Sequence, residues 1–208
     1  MIFPDIYSCS VAVIGLGYVG LPLALEFAKK GKCRLSGRDL SRSIIGFDLN
    51  ALRIKELKDG IDRTNETNTF DLDNIELTFT AEESKLKLAE IFIVTVPTPI
   101  NSEKKPDLSY LKKASIIIGK NLKNKSLKVK PIVIYESTVF PGATEEICAP
   151  LIEENSGLKH IKDFYCAYSP ERINPGDNQK RLRDIIKVTS GSSEECAEWV
   201  DKFYGSII

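Results

Sequence analysis

The 208-residue chain predicts an α/β fold, a doubly wound, mainly parallel sheet with helices on both faces. Three observations carry that expectation. Short apolar runs alternate with amphipathic stretches along the whole sequence, the pattern of βαβ crossovers. The first run, Val11–Ile14, leads straight into glycines 15, 17 and 20, which open the first amphipathic stretch. The second run ends on an acid, Asp48.

In chain order, strands are expected at Val11–Ile14, Ser43–Asp48, Ile75–Thr80, Ile91–Val96, Ile132–Tyr135, Phe164–Tyr168 and Ile185–Thr189. Helical patterns fall near Val19–Lys30, Ala51–Lys58, Leu108–Leu122, Thr144–Glu154 and Glu194–Phe203. No internal repeat is visible. The Gly15-x-Gly17-x-x-Gly20 spacing between a strand and a helix makes this a Rossmann-like reading. The first glycine serves the tight turn and the second admits a pyrophosphate against the backbone. The third lets helix and strand pack closely. The following helix directs its amides and the positive end of its dipole at the phosphates.

Such a fold also needs an acid at the end of its second strand, to accept hydrogen bonds from the adenosine ribose. Asp39 has the expected spacing, about 20 residues from the glycines, but sits in the polar stretch "GRDLSRS". Asp48 closes the apolar "RSIIGFD" and is the better candidate, which makes Lys32–Arg42 a surface insertion. An acid there repels a 2′-phosphate, so NAD is expected rather than NADP. Arg38 and Arg42 leave NADP as the lesser alternative.

Composition narrows the class. Hydrophobic residues make up 42% and charged residues 28%, as in ordinary globular proteins. Lys and Arg (29) balance Asp and Glu (29), so no net field draws the chain to nucleic acid or to an acidic membrane. The lysine-rich "KNLKNKSLKVK" (120–130) has no aromatic residue to stack on bases and reads as a solvated helix end. No apolar run is long enough to cross a bilayer. The first residues lack the pattern of a signal peptide. Five cysteines without a CxxC pair fit a reducing, cytoplasmic location. The single histidine, His160, lies in polar "GLKHIKD" and is expected at the surface rather than as a general base.

Five ordered motifs, "GLGYVGLP", "GFDLNALRIKELKDG", "VTVPTPI", "YESTVFPGATEE" and "YSPERINPGD", span nearly the whole chain. Through them the sequence resembles the UDP-glucose/UDP-N-acetylhexosamine 6-dehydrogenase family, most closely the bacterial branch acting on UDP-N-acetylhexosamines in polysaccharide biosynthesis. The resemblance implies NAD as cofactor and a UDP-sugar substrate whose C6 alcohol is oxidised twice to a carboxylate by way of a cysteine thioester. It implies that Gly15, Gly17, Tyr18, Val19, Gly20, Asp48, Arg53, Thr98 and Thr138 bind the cofactor. Thr138 would lie between nicotinamide and substrate and help hold a water. Glu171 would assist thioester hydrolysis as a general base. Glu171, Arg172, Ile173 and Asn174 would line the nucleotide-sugar site, on a loop stiffened by Pro170 and Pro175. A homo-oligomer is implied for the full-length protein.

Blander roles stay open at this point. Thr138 can terminate a strand, Glu171 and Arg172 can form a loop ion pair, and Arg53 can be a solvated helix residue. The family's nucleophilic cysteine, with its glycine-rich approach and oxyanion lysine, has no counterpart here. Cys148 and Cys166 fall on helix and strand patterns and read as core. The chain therefore reads as the NAD-binding amino-terminal part of a longer enzyme, lacking its central helix and carboxy-terminal sugar domain. It is expected to bind cofactor without completing catalysis. Alternatives are a UDP-glucose or UDP-N-acetylmannosamine dehydrogenase, another dehydrogenase of the same fold, or a non-catalytic NAD-binding module.

Overall fold

β1 (Ser10–Ile14) lies in the middle of a seven-stranded sheet, and its residues show why the run had to be apolar throughout. Val11 and Val13 face one core with α1 (Gly20–Ala28) and α5 (Glu194–Gly205). Ala12 and Ile14 face another, with α3 (Ser109–Leu122) and α4 (Ala149–Ser156). Successive side chains of a strand point to opposite faces, so a sheet covered on both sides needs apolar residues at every position. The computed structural model describes residues 2–64, 66, 77–100, 102–123, 128–171 and 186–208.

The remaining strands are β2 (Gly31–Lys32), β3 (Asp39–Leu40), β4 (Ser43–Phe47), β5 (Leu77–Thr80), β6 (Ile91–Val94), β7 (Ile132–Tyr135), β8 (Tyr165–Tyr168) and β9 (Ser190–Gly191). The order across the main sheet is β5-β4-β1-β6-β7-β8-β9. Every pairing is parallel except β8 with β9. The connection reverses direction between β1 and β6, and ligands of such sheets bind outside the carboxyl ends of the strands at that point. The Rossmann-like expectation holds.

Local chemistry sets the helix ends. α2 (Ala51–Lys58) starts at Asn50, whose side chain accepts from the amides of Leu52 and Arg53. Ser193 caps α5 by accepting from Cys196 N–H. The single helix expected over Thr144–Glu154 instead begins as a π turn, Ala143–Cys148, entered through Gly142 at φ 91°. Pro150 lacks the amide that would bond four residues back, and the regular α-helix accordingly starts around it, with the proline in the first turn where that donor is not needed.

One expectation is corrected and one refined. The sequence pattern places the last strand at Ile185–Thr189. Ile185 lies outside the described residues, Ile186 and Val188 are exposed, and the strand is β9, antiparallel to β8. Gly191 decides the position: a Cβ there would lie 2.5 Å from the Ala197 amide nitrogen, so α5 closes on the edge only over a glycine. Lys32–Arg42 lies mostly at the surface, as expected of an insertion, but it is anchored to the core. β2 and β3 form a small antiparallel pair, with Cys33 and Arg42 buried behind it. Arg42 Nε donates to Ile6 O (2.7 Å) and Nη2 to Ser206 Oγ (2.6 Å), and the guanidinium sits 4.9 Å from the Phe203 ring centre. Arg38 stacks on Tyr7 at 3.8 Å. Both arginines are thus engaged on the α5 and amino-terminal side.

His160 is also less exposed than its neighbours suggested. Its Nε2 is buried without a hydrogen-bond partner among the described residues, its ring packs 5.4 Å from Phe164, and its amide donates to Glu153. Burial pulls its pKa below the ordinary 6.5. The unfolded chain therefore binds the proton more readily, so stability is full above that value and falls as pH drops through the depressed one. His160→Gln should remove this component. Thermal midpoints at about pH 7.5 and about pH 5.5 should fall further for the parent than for the variant; equal falls would mean that the ring is solvated.

Candidate functional site

At the carboxyl ends of β1, β4, β6 and β7 lies a cavity of about 450 Å³. Its first wall is the glycine turn, where each glycine meets a different demand. Gly15 has φ 95°, which favours glycine. A Cβ on Gly20 would stand 1.9 Å from Gly15 O and 2.4 Å from Thr95 Oγ1, so the helix touches the turn itself. A Cβ on Gly17 would meet nothing within 4 Å, because Gly17 faces the cavity. Tyr18 and Val19 line it beside Gly17, and α1 begins at Gly20. Burial and the neighbouring Glu171 and Glu66 raise the Tyr18 phenol.

The turn is held through one residue, by the peptide groups on either side of it. Leu16 N–H donates to Asp48 Oδ2 (2.9 Å), and Leu16 O accepts from Arg53 Nε (2.9 Å). Asp48 stands just past β4 on the cavity wall, where its Oδ1 also accepts from Asn50 N–H (2.9 Å). A carboxylate offers about four lone-pair sites, so acceptor capacity remains for sugar hydroxyls. Arg53 lies behind the turn rather than on the wall. It is 5% exposed, Nη2 donates to Asp62 (2.7 Å), and Nη1 has no partner among the described residues.

Two loops form the far end. Thr98 Oγ1 donates to Thr138 O (2.6 Å), and Ser137 Oγ donates to Val96 O (2.6 Å), so the loops after β6 and β7 are stitched together by adjacent hydroxyls. Thr98, Thr138 and Glu171 all line the cavity. Arg172, Ile173 and Asn174 lie outside the described residues.

Several wall residues went unread in the sequence. Thr95, buried at the end of β6, donates to Gly15 O (2.7 Å) and thereby braces the turn. Tyr110, Lys113, Ala114 and Ile117 of α3 form the side wall. Their spacing is one helical stripe, a signal present in the sequence had the face of that helix been asked what it covers. Glu136, buried at 2%, also lines the cavity, just past β7.

The arrangement suits a dinucleotide. Ile14, Phe47, Val96 and Ile117 offer an apolar slot for a flat ring near Asp48. The space over Gly17 and the start of α1 admits a pyrophosphate, and the hydroxyl-rich end lies across the switch point. Among the described residues no cluster of three His, Cys, Asp or Glu side chains is placed to hold a metal ion, and no helix is long and apolar enough to cross a membrane. All five cysteines are buried, and burial pushes the Cys148 and Cys166 thiols up.

Residues 9–208 match the UDP-glucose/GDP-mannose dehydrogenase family, NAD binding domain. The chain is 54% identical over 199 residues to a UDP-N-acetyl-D-glucosamine 6-dehydrogenase of Pseudomonas aeruginosa, and 49% identical over 199 residues to one of Salmonella typhi. Each alignment covers 95% of this chain and 43% of the relative, so the chain spans less than half the length of these proteins. Among solved structures, a UDP-D-ManNAc dehydrogenase from Pyrococcus horikoshii superposes with a TM-score of 0.80 at 32% identity, covering 96% of this chain and 45% of that one.

Proposed function

The chain belongs to the UDP-glucose/GDP-mannose dehydrogenase family as its NAD-binding domain, and on that premise we propose that it serves an NAD-dependent 6-dehydrogenase of UDP-N-acetylglucosamine. The observation that carries the reading is the meeting of Thr98, Thr138 and Glu171 on one cavity with the glycine turn and Asp48. A module that only held a dinucleotide would need the glycine turn and the acid, and not the second cluster. The substrate is proposed from the two relatives near half identity, both named for that sugar. UDP-N-acetylgalactosamine, UDP-N-acetylmannosamine and UDP-glucose are the alternatives.

Asp48 takes the ribose hydroxyls, and Gly17 with the start of α1 takes the pyrophosphate. Arg53, held against Leu16 O, keeps the turn in register from behind. When bound, NAD supplies the hydride acceptor. Thr138, fixed through its carbonyl by Thr98, orients a water and the reacting carbon, and Glu171 draws the proton from that water during thioester hydrolysis. Arg172, Ile173 and Asn174 belong to the sugar-facing loop of the same proposal. None of the five cysteines suits the nucleophile: burial raises the Cys9, Cys148, Cys166 and Cys196 thiols, which then hold little thiolate, and Cys33 sits behind the β2–β3 pair, off the cavity wall. The nucleophile is assigned to the sugar domain of a longer, homo-oligomeric, cytoplasmic enzyme that feeds surface polysaccharide synthesis.

The test is NADH formation with each UDP-sugar by a polypeptide of the relatives' length that begins with this chain. UDP-N-acetylglucosamine should give the stoichiometry of a double oxidation. Glu171→Gln should slow turnover by roughly 10² to 10⁴ while leaving NAD affinity within about twofold. Equal losses in turnover and NAD affinity would move Glu171 from proton transfer to cofactor binding, and NADH formation with none of the sugars would reject the reading.

A further inference from the structure

Glu136 reaches the cavity wall from the end of β7, between the strand and Ser137–Thr138, yet its carboxylate is nearly enclosed. Two side chains close it in. Lys187 Nζ and Tyr204 OH both donate to it, one to each oxygen. The Lys187 and Glu136 side chains are 8% and 1% exposed, and the ammonium lies 5.1 Å from the centre of the Tyr204 ring. Burial, followed by the facing carboxylate, pushes the Tyr204 phenol well up, so it stays a neutral donor. Lys187 comes from the stretch just before β9, and Tyr204 from α5. Lys187 turns inward while Ile186 and Val188 face out.

A buried ion pair adds little net stability, but removing one member strands the other charge in a medium that screens it poorly. Across the switch point from Asp48, this half of the cavity is where the nicotinamide of a dinucleotide belongs. That ring is cationic when oxidised and neutral when reduced. We infer that Lys187 is a positioning residue of the NAD site, which by pairing Glu136 fixes the charge presented to the nicotinamide and so sets the relative affinity for NAD⁺ and NADH. This rests on the NAD reading above. The other ionisable side chains on the wall are Tyr18, Asp48, Tyr110, Lys113 and Glu171. Asp48 stands at the adenosine end, which is identical in the two forms of the cofactor.

The experiment titrates NAD⁺ and NADH separately into the chain, into Lys187→Met and Glu136→Gln, and into the double variant, from about pH 6 to about pH 8. Lys187→Met should shift the affinity ratio toward NAD⁺ by about tenfold at the upper pH. The shift should fade as pH falls, because a buried carboxylate without its counter-ion takes up a proton above the usual range. Glu136→Gln, which leaves the ammonium alone, should shift the ratio the other way. The double variant, which removes both charges, should restore the parent ratio at every pH and keeps the test informative if a single variant folds poorly. Ratios unmoved by either single substitution, or equal weakening of both forms without pH dependence, would reduce the pair to a structural tie. Failure of the parent chain to bind either form would overturn the NAD reading together with this one.

Discussion

Gly20→Ala is expected to destabilise the chain by about 3 kcal/mol or more, roughly 6 °C or more in thermal midpoint, and to abolish NAD binding. The added methyl would stand 1.9 Å from Gly15 O and 2.4 Å from Thr95 Oγ1. Neither neighbour is a flexible side-chain end. Gly15 O is backbone, and Thr95 Oγ1 is fixed by its bonds to Ile14 O and Gly15 O. Relief therefore requires α1 to move off β1, which opens the turn over which the pyrophosphate passes. Gly17→Ala is the control. Its methyl meets nothing within 4 Å, so the midpoint should hold while NAD affinity drops by about tenfold or more, as the methyl takes the phosphate's space. Circular dichroism melts and NADH fluorescence titrations on both variants separate the effects. Undiminished binding by Gly17→Ala would mean that the pyrophosphate does not cross the turn there.

Asp48→Ala should lower NAD affinity by roughly tenfold to 10³, the loss of charge-assisted hydrogen bonds worth about 1.5–3 kcal/mol each. Two losses combine. The ribose loses its acceptor, and Leu16 N–H loses the partner that holds the glycine turn at 2.9 Å. Asp48→Asn tells them apart, since its amide oxygen can still accept from Leu16 while no negative charge faces a 2′-phosphate. NADP affinity should rise relative to NAD in that variant. The parent chain should prefer NAD, and equal affinity of the parent for both cofactors would detach Asp48 from cofactor choice.

Much of the scaffold was legible because each strand is a short apolar run and each helix a 3.6-residue pattern. These local periodicities survive folding wherever both sheet faces are covered. The glycine spacing and the acid ending the second strand were legible for the same reason, being requirements of a single βαβ unit. The errors fell where distant chain segments decide. The run around Ile185–Thr189 looks like a strand by composition, but Gly191 fits the edge beside α5 and Lys187 is drawn inward by Glu136, which stands just past β7. Arg42 looked like surface and is buried because Phe203 and Ser206 of the chain's last segment receive it.

By itself, then, the sequence determined the sheet-and-helix alternation, the glycine turn, the acid that follows the second strand of the main sheet, and the family through motifs whose order along the chain is fixed. Only the tertiary structure decided that Thr95 braces the turn, that Arg53 stands behind the cofactor wall, that Thr98 and Ser137 bind two loops together, and that Glu136, Lys187 and Tyr204 meet. The division has one cause. Periodicity and turn chemistry are set by neighbours a few residues apart. A buried charge or hydroxyl is placed by whichever partner can satisfy it, and for Glu136 the phenolic partner lies 68 residues along the chain.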